Sequence, residues 1–215
     1  MIKKALFALA ISGLMASAQA GVLIDEGFDD VSGLAGKGWV LNNASTPGGS
    51  TPGWYQGDQN IFEARTGAPQ SYAAANYNNA GAGGDINNWL ITPEFSTALG
   101  GTISFWLRSE TAQYIDQFAF GLSDGSSDLA SFTLGEAINA VGAWTQYSFD
   151  FDAVDGIARF AIQYTGGQEF ANYIGVDDLI ITDAASGEVP EPASILILAA
   201  GAAGMAAARR RKRVA

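Results

Sequence analysis

The chain has 215 residues, with 22 acidic and 11 basic side chains and neither cysteine nor histidine. Without cysteine it has no disulfides, thiolate metal sites or cysteine nucleophiles, and without histidine it has no Ser-His-Asp triad or H-E-x-x-H zinc site. Carboxylate chemistry, such as glycoside hydrolysis, is the familiar hydrolytic mechanism that stays open.

The N-terminus has the pattern of a targeting segment. Lys3 and Lys4 precede an apolar stretch over residues 5–15, and Ala18-Gln19-Ala20 follows that stretch. A positive start, an apolar run and an A-x-A site are typical of a secretory signal peptide. We therefore predict a signal peptide over residues 1–20 and a mature chain that begins at Gly21.

Residues 21–188 are one domain's worth of chain, enough for a single hydrophobic core. They hold 21 acidic and four basic side chains, which gives a net charge of −17. Such a surface disfavours nucleic acid, because phosphates are bound by Lys and Arg. Two explanations of the acidity stay open, namely solubility and the binding of Ca²⁺ by carboxylates.

Short runs of alternating apolar and polar residues, separated by Gly, Asn, Asp and Ser clusters, predict an all-β sandwich or barrel. A first strand is predicted over Val22–Phe28, and a loop-rich region follows to about residue 84. Four later strands are predicted with one apolar and one polar face each, at 102–108, 117–123, 145–151 and 158–164. The last strand, Tyr173–Thr182, is apolar on both faces, which predicts a central position or a covered second face.

Several short motifs occur in order along this region. They are Asn88-Trp89-Leu90-Ile91-Thr92-Pro93, Ser104-Phe105-Trp106, Phe120-Gly121-Leu122-Ser123, the run from Trp144 to Phe149, and Tyr173-Ile174-Gly175-Val176-Asp177-Asp178. Together they resemble the choice-of-anchor J domain, which is similar to the cleaved-adhesin domains of bacterial surface proteases. The resemblance covers nearly all of Val22 to Thr182. It implies a jelly-roll β-sandwich, often calcium-bearing, with adhesive or glycan-binding roles.

Two carboxylates share the phase of apolar neighbours, Glu26 on the first predicted strand and Asp178 on the last. A buried carboxylate costs roughly several kcal/mol unless it is paired, protonated or bound to a metal. These residues therefore predict a Ca²⁺ site, with Asp25, Asp177 and Asp85 as further ligands. Relatives usually have Asp-Asn-Trp where this chain has Asn87-Asn88-Trp89, so Asp85 lies two residues before the matching position. The alternative is that these acids lie at strand ends or pair with Arg108 or Arg159.

The polar faces of the predicted strands carry a candidate glycan surface. Its main residues are Trp106, Arg108 and Gln163, together with Gln117, Gln146 and Arg159. A tryptophan ring offers a surface for sugar stacking, and amide groups offer hydrogen bonds. The alternative is that a second sheet or a loop packs against these residues.

The C-terminus contains three parts in order. Val189-Pro190-Glu191-Pro192 is followed by 16 uncharged residues, 193–208, and then by Arg209-Arg210-Arg211-Lys212-Arg213. As a helix the uncharged run would be about 24 Å long, short of the roughly 30 Å hydrocarbon core, although arginine side chains can reach the interface. The basic cluster is expected in the cytoplasm and the domain outside. The pattern alone allows a permanent anchor or a stop-transfer signal that a protease removes.

The order of these parts resembles the PEP-CTERM sorting signal, which we assign to residues 189–215. The resemblance implies a short hydrophobic transmembrane helix that an exosortase recognises and cleaves, in bacteria that make exopolysaccharide. The expected route is an inner-membrane-tethered precursor with its domain outside the cytoplasm, followed by the cell surface or extracellular matrix.

Three functions stay open at this stage. The first is a non-catalytic exported module that binds glycan or matrix in a biofilm. The second is a ligand-free structural component of the envelope. The third is a glycan-cleaving enzyme that uses carboxylates, for which the sequence singles out no pair among Glu63, Glu94, Glu110, Glu136 and Glu169.

Overall fold

The computed structural model describes residues 20–110 and 113–184. Most of the predicted signal peptide, the motif Pro190-Glu191-Pro192, the predicted C-terminal helix and the basic cluster lie outside the described residues. Residues 20–184 form one compact unit. Within the described residues, no helix is both long and apolar enough to cross a membrane.

The described strands form two antiparallel sheets. Sheet A has six strands in the order β12 (Thr145–Phe151), β8 (Gly101–Ser109), β14 (Tyr173–Asp183), β5 (Ala73–Asn76) and β4 (Tyr55–Gln56), with β1 (Val22–Glu26) also paired to β14. Sheet B has eight strands, of which five follow the order β10 (Thr133–Leu134), β9 (Gln117–Ser123), β13 (Ile157–Gly167), β6 (Ala80–Ile91) and β2 (Val40–Asn43). Of the other three, β11 (Ile138–Asn139) pairs with β9, β3 (Thr46–Gly48) pairs with β6, and β7 (Phe95–Ser96) pairs with β13. The connections include the 3₁₀ helices Val31–Lys37, Tyr77–Asn79, Leu129–Ser131 and Gln168–Phe170.

The hydrophobic core lies between the two sheets, as the alternation predicts. Ile103, Phe105 and Leu107 of β8 are fully buried, and so are Phe118 and Phe160 of sheet B. The ring of Phe105 lies 6.4 Å from that of Phe118 and 5.7 Å from that of Phe160, measured between centroids. These contacts join the two layers, and the predicted β-sandwich is confirmed.

The strand β14 is central in sheet A and is covered on both faces, which confirms the prediction from its two apolar faces. Its outer face is covered by residues 57–72, here called the 57–72 loop, which joins β4 to β5. Phe62 and Tyr72 of this loop stack with centroids 4.8 Å apart, and Phe62 also contacts Tyr173 of β14. A Cβ at Gly175 would lie 2.7 Å from Tyr72 Cδ2 and 2.9 Å from Phe62 Cε2, so glycine lets the loop approach the sheet.

Candidate functional site

Glu26, the first predicted metal ligand, is buried at the end of β1 with 7% relative exposure. Its Oε2 lies 2.9 Å from Lys37 Nζ, and its Oε1 accepts a hydrogen bond from the backbone N–H of Phe28. The hydrogen bond to Glu26 raises the pKa of the Lys37 ammonium, and the negative charge of Glu26 raises it further. A lysine of the protein therefore neutralises the charge for which the sequence suggested a calcium ion.

Asp178 does not lie on the apolar face of β14, contrary to the prediction from alternation. The register between β14 and β8 shifts between Asp177 and Ile180, and Asp178 has a left-handed backbone with φ of 46°. Because of this irregularity, the inward-facing positions change phase between Val176 and Leu179, which are both core residues. Asp178 is turned out of the core and toward the 57–72 loop.

Asp177 and Asp178 together hold the 57–72 loop on the outer face of sheet A. Asp178 accepts hydrogen bonds from Arg65 Nη1 at 2.5 Å and from Thr66 Oγ1 at 2.6 Å. Asp177 Oδ2 accepts the backbone N–H of Arg65 at 2.8 Å and that of Thr66 at 3.2 Å. Its Oδ1 accepts the N–H of Asp178 at 2.8 Å. The loop is therefore fixed to β14 through both its backbone and its side chains.

Asp177 is fully buried, and burial raises the pKa of its carboxyl from 3.8 to about 6. The hydrogen bonds from the loop amides lower this pKa, whereas the nearby charge of Asp178 raises it further. Burial disfavours the charged form of an acid, and donors favour it, so the two effects oppose each other here. A titratable group thus lies beneath the loop.

The predicted metal ligands are not assembled into one site. Asp85 lies on β6 in sheet B, and Asp25 is exposed on β1. Among residues 20–110 and 113–184, no group of three acidic side chains could hold a metal ion. Ca²⁺ takes about six to eight oxygen ligands, whereas the oxygens of Glu26, Asp177 and Asp178 are engaged by donors of the chain itself. The described residues do not fit the predicted calcium site.

Trp106 and Arg108, two residues of the predicted glycan surface, contact the 57–72 loop on the outer face of sheet A. The guanidinium of Arg65 lies 3.9 Å from the Trp106 ring centroid, and that of Arg108 lies 4.1 Å from the Phe62 ring centroid. Each cation–π contact is worth about 0.5–1 kcal/mol at an exposed site and more when desolvated. Arg65 therefore covers a face of the Trp106 indole. At Trp106 and Arg108 a loop packs on the sheet, which was the alternative to a glycan surface.

Gln163, the third residue of that predicted surface, lies on the outer face of the other sheet. It belongs to β13 of sheet B, and its Nε2 donates a hydrogen bond to Asn87 Oδ1 at 2.7 Å. The prediction of one glycan surface was wrong on this point, because each sheet has its own outer face. Alternation assigns faces within a strand but does not say which strands share a sheet.

All four basic residues of the domain are engaged within the described part of the chain. Lys37 and Arg65 form ion pairs with carboxylates, and Arg159 forms one with Glu94 at 3.1 Å. Arg108 Nη2 donates a hydrogen bond to a backbone carbonyl oxygen at 3.1 Å. Anionic ligands such as nucleic acid need free cations, so this arrangement disfavours them.

No sequence pattern predicts a role for Arg65 or Thr66. Both lie in the loop-rich region, where no hydrophobic period indicates which residues meet a strand. One available signal was the shortage of cations, since a domain with four basic and 21 acidic residues has few partners for a buried acid. Each of the four basic residues was therefore a candidate counter-ion for Glu26 or Asp178.

Comparison with known proteins gives one match for the C-terminal tail and separate matches for the domain. Residues 188–212 match the family model of the PEP-CTERM protein-sorting motif, close to the predicted range of 189–215. The chain therefore carries a PEP-CTERM sorting motif at its C-terminus.

The domain is similar to adhesin domains of Porphyromonas gingivalis. The chain is 28% identical over 137 residues to Hemagglutinin A of strain ATCC BAA-308 / W83, and 31% identical over 123 residues to Lys-gingipain W83. These matches cover 55% and 48% of this chain but only 6% and 7% of the relatives.

Solved structures give the same picture for the fold. The K1 and K3 cleaved adhesin domains of Lys-gingipain match with TM-scores of 0.57 and 0.56 at 21% and 19% identity. The matches cover 76% and 77% of this chain and 99% and 100% of those domains. The domain is a β-sandwich similar to the cleaved adhesin domain.

Proposed function

We propose that this protein is an exported, exosortase-processed surface module that acts by adhesion and binds glycan without catalysing a reaction. The observation that carries the proposal is the presence, in one chain, of a PEP-CTERM sorting motif and a sandwich similar to cleaved adhesin domains. One relative is named Hemagglutinin A, and we transfer the adhesive role from these names to this chain.

The proposed route follows from the two terminal segments. The signal peptide over residues 1–20 takes the chain across the inner membrane, and the basic cluster at 209–213 stays in the cytoplasm. The tail holds the precursor in the membrane until an exosortase cleaves near Pro190-Glu191-Pro192. The domain then reaches the cell surface or an exopolysaccharide matrix.

The placement of the candidate acids supports the absence of catalysis. Glycoside hydrolysis needs two carboxylates that flank one glycosidic bond. Glu94 and Glu110 are engaged by the side chains of Arg159 and Asn172. The other candidates are exposed on three separate connections, namely Glu63, Glu136 and Glu169.

A glycan array probed with the full-length protein, with and without Ca²⁺, tests the proposal. We expect binding to at least one glycan and no release of reducing ends from the same glycans. A ligand-free structural component is the second candidate, because the 57–72 loop packs on Trp106 and Arg108 of the predicted glycan surface. It predicts no binding to any glycan. Release of reducing ends would instead identify an enzyme.

A further inference from the structure

The described part of the molecule exposes large side chains at one end of the sandwich, around a polar hollow. Tyr77, Tyr114 and Phe170 are 38%, 44% and 63% exposed, and Ile115 beside them is 52% exposed. The hollow has a volume of about 320 Å³, and it is lined by Tyr77, Tyr114, Gln168, Glu169, Ala171 and Asn172. We call these lining residues, together with Phe170, the end surface.

Three connections build the end surface and are bonded to one another. The backbone N–H of Tyr77, the first residue of the 3₁₀ helix after β5, donates to Asn172 O at 2.9 Å. The N–H of Ile115, which precedes β9, donates to Phe170 O at 2.7 Å. The N–H of Asn172 donates to Oδ1 of the buried Asp116 at 2.7 Å. The exposed rings are therefore carried by a backbone that is already held in place, which lowers the entropy lost on binding.

The exposure of these rings favours an interaction site. Single exposed apolar residues are normal, whereas several that surround one hollow indicate a binding surface. Burying the rings in the domain core would remove them from water, and the chain buries most of its other aromatic residues in this way, for example Phe105 and Tyr164, which are 0% exposed. Among the described residues, the aromatic side chains classed as exposed are Tyr77, Tyr114 and Phe170, and all three belong to the end surface.

The chemistry of the hollow selects the ligand class. The faces of tyrosine rings are electron-rich and attract the C–H groups of a sugar ring. Asn172 Nδ2 donates to Glu110 and Gln168 Oε1 accepts from the N–H of Gly83. The groups that can bond sugar hydroxyls are therefore Gln168 Nε2, Asn172 Oδ1 and the Glu169 carboxylate. Among the described residues that line the hollow there is no Lys or Arg, and the domain as a whole has a net charge of −17. An acidic polysaccharide would be repelled, whereas an uncharged one would not.

We propose that the end surface binds an uncharged oligosaccharide, with Tyr77 and Tyr114 as stacking platforms and Gln168, Glu169 and Asn172 as hydrogen-bonding groups. This inference rests on the proposed function and gives it a site and a ligand class. The site is separate from the surface at Trp106, where Arg65 covers a face of the indole.

Affinity electrophoresis of the full-length protein in detergent tests the inference. The probes are soluble xylan, β-glucan, galactan and mannan as uncharged polymers, with polygalacturonate as the acidic comparison. We expect at least one uncharged polymer to retard the protein. Tyr114→Ala and Tyr77→Ala should each weaken that retardation about tenfold or more, since aromatic stacking dominates contacts of this kind.

Two further variants complete the design. Tyr114→Phe keeps the ring and should retain most of the binding, whereas Val154→Ala changes a residue that is 62% exposed in another connection and should retain all of it. Tyr77 and Tyr114 are 38% and 44% exposed, so each ring is also partly buried, and the two alanine variants should melt below the parent protein. Tyr114→Phe and Val154→Ala should match the parent, and circular dichroism at the assay temperature checks that every variant is folded.

The outcomes separate this inference from the proposed function. Binding that survives both alanine substitutions would overturn the site while the glycan-binding function stands. Binding to polygalacturonate alone would overturn the ligand class. No retardation by any polymer, together with a blank glycan array, would overturn the proposed function and the site with it.

Discussion

The buried carboxyl of Asp177 makes the stability of the domain depend on pH in a defined direction. Its pKa is 3.8 in the unfolded chain and about 6 in the folded protein, where the residue is fully buried. Because the folded-state value is the higher one, the folded protein binds this proton more tightly. The resulting stabilisation is complete below about 3.8 and is lost as the pH rises through about 6.

The difference between the two pKa values of Asp177 sets the size of this stabilisation. At about 1.36 kcal/mol per pKa unit, protonation of Asp177 at low pH adds about 3 kcal/mol to the free energy of unfolding. Between about pH 5 and about pH 7.5 the change from this group is about 1.4 kcal/mol, with the protein more stable at the lower pH. Burial raises the pKa of Asp116 as well, which acts in the same direction. Only the comparison with a variant therefore isolates the contribution of Asp177.

Urea unfolding of the domain at these two pH values, for the parent protein and for Asp177→Asn, measures the effect. The parent should gain about 1.4 kcal/mol more than the variant on going from about pH 7.5 to about pH 5. Asp155→Asn, at an exposed carboxylate, is the matched control and should behave like the parent. Equal pH dependence in the parent and Asp177→Asn would refute the reasoning.

Three further predictions concern packing and charge. Gly175→Ala should destabilise the domain by roughly 1–3 kcal/mol in thermal or urea unfolding, because the new Cβ would lie 2.7 Å from Tyr72 Cδ2. Gly27→Ala is the control and should have a much smaller effect, because no atom lies within 4 Å of its Cβ position. Lys37→Ala should lower the free energy of unfolding by roughly 1–3 kcal/mol, because it leaves the carboxylate of Glu26 without its cation. Lys37→Arg keeps the cation and should lower it less. Equal unfolding midpoints for the parent protein and Lys37→Ala would contradict the importance of this ion pair. CaCl₂ should not shift the melting temperature relative to EDTA, and a rise of several degrees would restore the predicted calcium site.

The strands were predictable because alternation is a local property. The run Thr102–Arg108 places Phe105 inward in the structure as it does in the sequence pattern, and β8 spans Gly101–Ser109. The central place of β14 was also predictable, since a strand apolar on both faces needs cover on both. The tail pattern was predictable from the order of its three parts.

The candidate sites were less predictable than the strands, because they depend on features that the alternation of apolar and polar residues does not encode. The irregularity at Asp178 reverses the phase of β14, so a count of every second residue fails beyond it. The grouping of Trp106 with Gln163 failed because they lie in different sheets. The end surface was not predictable, because Tyr77, Tyr114 and Phe170 lie in three connections far apart in sequence that only the folded chain brings together.

The central proposal is that this chain is exported and then cleaved near its sorting motif. Intact-mass spectrometry of the protein recovered from the surface and medium of a host with an active exosortase tests it most directly. We predict a mature chain that begins at Gly21 and lacks the basic cluster Arg209–Arg213, with its C-terminus near Pro190-Glu191-Pro192. Recovery of a chain that still ends at Ala215, or retention of the protein in the cytoplasm, would contradict the account.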